Sequence, residues 1–197
     1  MAARRLVSSW LAVALAGGLL AAPMGAATAQ SARMGSTESA RVYTALEPAL
    51  IVEVMEEAGF ETSVEASTAQ NGSRDFVILG AQGGFIVGAN LRVCDTDNSP
   101  RGCLGINFFT LWDVRRGQLR EAREASKLFN EETLYGRLQV DDAEASVFYS
   151  HYMIVDHGVT RDNIAANLSL FLAMCQVITD EYMADILDLG GGDGNGK

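Results

Sequence analysis

DFVILGAQGGFIVGANLRVCDTDNSPRGCLGINFFTLW, residues 75–112, holds three runs rich in β-branched and aromatic residues, parted by short turn signals. The runs cover 75–80, 85–93 and 103–112. Gly83-Gly84 supplies the first turn, and the second lies in a polar loop over 95–102. Connections this short join antiparallel neighbours, because parallel strands need a crossover of a dozen or more residues. The stretch therefore predicts an antiparallel meander.

Working outward, 60–66 alternates well enough to form a further strand, with Asn71-Gly72 as its turn. A helix is predicted over 44–58, where Leu46, Leu50, Ile51, Val54, Met55 and Ala58 form one apolar stripe. Thr44 and Glu47 have the spacing of a capping box, Pro48 is tolerated near the first turn, and Gly59 supplies the stop. Downstream come a helix over 118–131 and two strands over 135–141 and 146–155, turned at 142–144. A final helix follows Thr160, a good N-cap, with Ile164, Leu168, Phe171, Leu172, Cys175, Ile178, Tyr182 and Ile186 on one face. The order α-β-β-β-β-α-β-β-α predicts an α+β fold, an antiparallel sheet with helices mainly on one face.

Ahead of this domain, Arg4-Arg5, an apolar core from Trp10 to Ala22 and Ala27-Thr28-Ala29 have the three parts of a secretory signal. Residues 1–29 are therefore expected to be cleaved. The reading continues with a flexible linker at 30–40, one domain at 41–188 and a disordered glycine-rich tail at 189–197. The expected location is periplasmic or secreted. The chain carries 15 lysines and arginines against 25 aspartates and glutamates. The leader holds two of the former and none of the latter, so the remainder carries −12. That charge argues against nucleic acid, which needs a basic face, and against anionic lipid. After the leader, no apolar segment reads as long and uninterrupted enough to span a membrane.

If the strands of the meander pair, Cys94 and Cys103 face each other near the mouth of the loop. In an oxidising compartment that predicts a disulfide. Cys175 falls on the apolar face of the last helix and reads as a buried free thiol.

The search for chemistry yields no catalytic residues, no metal site and no cofactor site. Asp95-Thr96-Asp97-Asn98-Ser99 starts like a calcium loop, but Pro100 stands where glycine is needed and Ile106 replaces the closing glutamate. His151 and His157, the only histidines, would lie about 20 Å apart on one strand and read as polar strand-edge or loop residues. The glycine pairs lack the strand–loop–helix context of a phosphate cradle.

Five segments carry a resemblance, through their order and spacing. They are VEVMEEAG at 52–59, the Cys94–Cys103 hairpin followed by INFF at 106–109, LFN at 128–130, YGRL at 135–138, and GVTRDN at 158–163. The chain resembles the YbjN family of bacterial sensory transduction regulators. The resemblance implies a fold like that of type III secretion chaperones and a regulatory or chaperone-like binding role. It supplies no catalytic residues. The expected function is thus a non-enzymatic exported binding protein acting through protein contacts. The alternative is a small-molecule or metal-ion sensing module of the cell envelope. Residues 147–155 are apolar on both alternations, which a strand covered on one side does not require. That excess predicts a protein partner or a homodimer, with Trp112, Tyr149 and Tyr152 as candidate contact residues.

Overall fold

A computed structural model describes residues 41–68, 74–96, 99–155 and 157–188. The expected signal, linker and tail, the Asn71-Gly72 turn, and Asp97 and Asn98 of the hairpin tip lie outside the described residues. The domain contains β1 (Val42–Tyr43), α1 (Pro48–Glu57), β2 (Glu61–Thr68), β3 (Arg74–Gln82), β4 (Phe85–Thr96), β5 (Ser99–Asp113) and α2 (Leu119–Glu132). These are followed by β6 (Arg137–Asp141), β7 (Ser146–Ile154), β8 (Val159–Thr160) and α3 (Arg161–Val177), which runs into a π-helical turn at Ile178–Tyr182. The main sheet is antiparallel throughout, in the order β2-β3-β4-β5-β7-β6. The α+β fold expected from the sequence is the fold observed, with two two-residue strands, β1 and β8, added.

The helices and one sheet face share a single core. Ile51, Val54 and Met55 of α1, Phe129 of α2, and Ile164, Leu168 and Phe171 of α3 are all buried with Ile78, Val87, Leu91, Ile106, Phe108, Leu138 and Tyr149 of the sheet. Ring contacts fix the fit: Phe171 stacks on Tyr149 at 5.0 Å, and Phe129 meets Tyr149 edge-on at 5.7 Å. Such pairs contribute about 0.5–1.5 kcal/mol each beyond burial of area.

Helix α1 starts later than its pattern suggests. The chain at Leu46 is bound to β5, its N–H donating to Cys103 O and its carbonyl accepting from Cys103 N–H, both at 2.8 Å. Glu47 precedes a proline and stays extended, at φ −99° and ψ 146°. Pro48 is therefore the first helical residue, and the capping box of Thr44 with Glu47 does not form. The C-terminal stop is as expected: Gly59 sits at φ +92°, and Phe60 N–H reaches back to Met55 O at 3.1 Å.

The loop expected over 95–102 is mostly strand. Thr96 pairs with Ser99, and a bulge between Cys94 and Thr96 absorbs the irregularity, with Val93 and Asp95 at positive φ. Cys94 and Cys103 are register partners, joined by a disulfide and fully buried. At α3, Thr160 caps as expected, accepting from Asn163 N–H at 3.2 Å. By length and composition, the helical run Arg161–Tyr182 would reach across a membrane, contrary to the sequence expectation. In the fold its apolar stripe of Ile164, Leu168, Phe171, Cys175 and Ile178 is buried in the core.

The two sheet edges are finished differently. At β6, Asn130 of α2 donates Nδ2–H to Leu138 O at 2.7 Å and accepts Leu138 N–H on Oδ1 at 3.0 Å. Ser126 Oγ donates to the same carbonyl at 2.7 Å. These side chains take the place of a neighbouring strand and seal that edge. At the other margin, β2 pairs with β3 alone.

Candidate binding surface

Strand alternation sorts the sheet into a helix side and an open side. Val87, Ala89 and Leu91 of β4 and Ile106, Phe108, Thr110 and Trp112 of β5 are buried on the helix side. Their neighbours in sequence therefore point the other way. Following the register across the sheet gives rows on the open side. The first takes Glu61, Ala81 and Ile86, paired across β2, β3 and β4, and Leu111, Phe148 and Gln139, paired across β5, β7 and β6. The next is Ser63, Leu79, Gly88, Phe109, Ser150 and Arg137. A third is Glu65, Val77, Asn90, Asn107 and Tyr152. The last described in full runs Asp75, Arg92, Gly105 and Ile154.

The middle of this face is apolar and accessible. Ile86 is 58% exposed, Leu111 56%, Tyr152 48% and Ile154 64%. Phe109 and Phe148 stack at 5.7 Å. Two glycines let rings lie flat against the backbone: a Cβ on Gly88 would meet the Phe109 ring at 2.1 Å, and one on Gly105 would meet Tyr152 Oη at 2.0 Å. The aromatics thereby form a level surface instead of projecting. Asp75, itself buried, is paired with Arg92 at 2.9 Å on the same face. Asn90 is half-buried in the middle, and its Oδ1 has no hydrogen-bond partner.

The three contact residues expected from sequence do not share a surface. Tyr152 is on the open face. Tyr149, three residues earlier, is fully buried under the helices, and its hydroxyl donates to Tyr135 O at 3.0 Å. Burial raises its pKa above the ordinary tyrosine range. Trp112 also lies on the helix side, nearly buried and stacked on Phe85 at 6.3 Å. With Phe60, Leu172 and Cys175 it lines a groove of about 360 Å³. Of residues 147–155, the outward set is Phe148, Tyr152 and Ile154. Leu111 and Ile86 complete the patch and were missed, because a strand rich in apolar residues on both parities does not say which parity the helices cover.

Neither sequence-flagged polar group gathers reactive chemistry. Cys175 is a buried thiol whose pKa burial pushes up, away from thiolate formation. His151 is half-buried, stacked under Tyr135 at 3.9 Å, with Nε2 3.3 Å from Asn167 Oδ1. Burial lowers its pKa, while the Asn167 contact acts weakly the other way. Among the described residues, no group of three or more His, Cys, Asp or Glu is placed to hold a metal ion.

Comparison with known proteins bears on the fold and the family. A family model described as "Putative bacterial sensory transduction regulator" matches residues 47–181. Among solved structures, the chain is similar to the crystal structure of YbjN from E. coli, named there "a putative transcription regulator". The TM-score is 0.54 at 13% identity, over 75% of this chain and 99% of that one, a likeness of fold. No curated protein matches the sequence.

Proposed function

The chain belongs to the YbjN family, and on that footing we propose that it is an exported regulatory protein working through protein contacts and not through catalysis. The observation that carries this reading is the open sheet face, whose exposed centre of Ile86, Leu111, Tyr152 and Ile154 is left uncovered by every helix among the described residues. Contiguous apolar surface of this kind marks contact sites in soluble proteins. Export is supported by the signal-like leader and by the Cys94–Cys103 disulfide, a bond that persists in oxidising compartments. The test is a photo-crosslinking residue placed at Leu111 or Ile154 in living cells, with exposed Leu128 on α2 as control. Covalent protein adducts from the two face positions and not from the control are expected. Absence of any adduct from both would overturn the reading.

The groove beside Trp112 favours a second reading, sensing of a small apolar ligand. Once the leader is removed, Trp112 is the sole tryptophan, so its emission reports directly on that groove. If apolar probes such as 8-anilinonaphthalene sulfonate shift neither the emission nor the melting temperature, this reading falls.

A further inference from the structure

We infer that the groove beside Trp112 binds a flat, uncharged aromatic molecule of one or two fused rings, stacked on the groove's own rings and hydrogen-bonded at its rim. The inference rests on the reading of that groove as a small-ligand site and names the chemical class of the ligand.

Two walls make the groove. The first carries three rings: Phe60 just before β2, Phe85 at the start of β4 and Trp112 near the end of β5. The Phe85 and Trp112 planes lie within 25° of parallel, at 6.3 Å between centroids. A flat ring that enters parallel to one is therefore close to parallel with both, the offset-stacked arrangement that aromatic rings favour. The second wall is α3 and the turn that follows it. Leu172, Cys175, Gln176 and Thr179 succeed one another at intervals of three, one and three residues, which is one stripe of a helix surface. The stripe ends in the π-helical turn, where Met183 N–H donates to Ile178 O at 2.9 Å, a bond spanning five residues. Turns of this kind recur at functional sites. At the mouth, Gln82 and Phe85 flank Gly83-Gly84, both at positive φ, so the turn puts no side chain over the opening.

The lining sets the charge and the size of the ligand. Phe60, Trp112 and Cys175 are almost wholly buried, while Gln82 and Gln176 are exposed, so the groove is apolar at depth and amide-rimmed at the surface. The Gln82 amide is laid against Gly59, where a Cβ would sit 2.6 Å from Nε2. Each amide offers both a donor and an acceptor to a hydroxyl, carbonyl or ring nitrogen on the edge of the ligand. Among the described residues, those lining the groove include no carboxylate, lysine, arginine or histidine. An ionised ligand would lose its hydration there without meeting a counter-charge, so the ligand is neutral. The volume of about 360 Å³ stands at the lower end of ligand pockets, roughly 300–1,000 Å³, which holds the ligand to one or two rings.

The test is isothermal titration calorimetry on the full chain at neutral pH, with three probes of one size. They are 2-naphthol, its anionic analogue 2-naphthoate and its saturated analogue decahydro-2-naphthol. 2-Naphthol is expected to bind one to one, about tenfold or more tighter than the other two, which lack either the neutral charge or the stacking face. Leu172→Trp fills the groove, and Gln176→Trp narrows its mouth from an exposed position where folding is not at risk. Each should weaken 2-naphthol by about tenfold or more, with an unchanged circular dichroism spectrum. Leu111→Arg, on the open face, should leave its affinity unchanged. Equal binding of either analogue overturns the inference, as does 2-naphthol binding that a folded groove variant leaves intact or that Leu111→Arg abolishes. The two readings fail separately. If 2-naphthol does not bind but 8-anilinonaphthalene sulfonate shifts the Trp112 emission, the ligand class falls and the small-ligand site stands. If neither acts, both fall.

Discussion

His151 lies half-buried between the Tyr135 ring and Asn167, and its environment disfavours the charged imidazole. Its folded-state pKa is below the unfolded value of about 6.5, so between the two only the unfolded chain binds the proton. The stability this neutral histidine contributes is complete above about pH 6.5 and declines as pH falls through that value towards the folded pKa. Urea midpoints measured from pH 8 to pH 5 should therefore fall more steeply for the native chain than for His151→Gln. Identical slopes would show that His151 is not coupled to folding. From sequence, this residue reads only as a polar strand residue, because its two partners stand sixteen positions away on either side. Thr160 is different: its cap reaches Asn163, three residues on, and local spacing was enough to find it. Thr44 had the same local credentials and failed, since the backbone pairing of Leu46 with Cys103 holds the chain extended up to Pro48.

At the scale of elements, the β4–β5 hairpin shows how far periodicity carries. The strands and their pairing were legible, and with them the opposition of Cys94 and Cys103. The strands' extension to Thr96 and Ser99 was not, because polar residues such as Asp95 and Thr96 signal a loop while a bulge keeps them in the ladder. The bridge closes a loop with a sequence separation of 9, which the chain-entropy account values at about 2.5–3 kcal/mol. Calorimetry should show a lower melting temperature for Cys94→Ala with Cys103→Ala, and reductant should lower the native protein's melting temperature without affecting that variant. A native melting temperature indifferent to reductant would mean that the bridge does not stabilise the fold. The sealed edge of β6 belongs to this scale too. No pattern announces that Asn130 of α2 will satisfy Leu138, because the contact needs the helix already docked.

Across the whole molecule, the sheet is two-sided in composition and one-sided in burial. Tyr149 and Leu111 are both large apolar strand residues, and the fold gives them opposite roles. Tyr149→Ser opens the core between Phe129 and Phe171 and should cost about 3–5 kcal/mol. Leu111→Lys alters an exposed side chain and should change stability by about 0.5 kcal/mol or less. Urea denaturation measures both. Comparable losses would contradict the assignment of faces.

The order of elements, the α+β class, the cysteine pairing and the likeness to the YbjN family were all readable from residues near one another in sequence. Those features follow from local sterics, turn chemistry and the two side-chain periods of helix and strand. The tertiary structure alone decided which parity of each strand the helices cover. It thereby buried Trp112 and Tyr149, left Leu111 and Tyr152 facing outward, and assembled the rows of the open face. Alternation distinguishes two faces without ranking them; the ranking comes from where α1, α2 and α3 dock, through contacts between residues far apart in the chain.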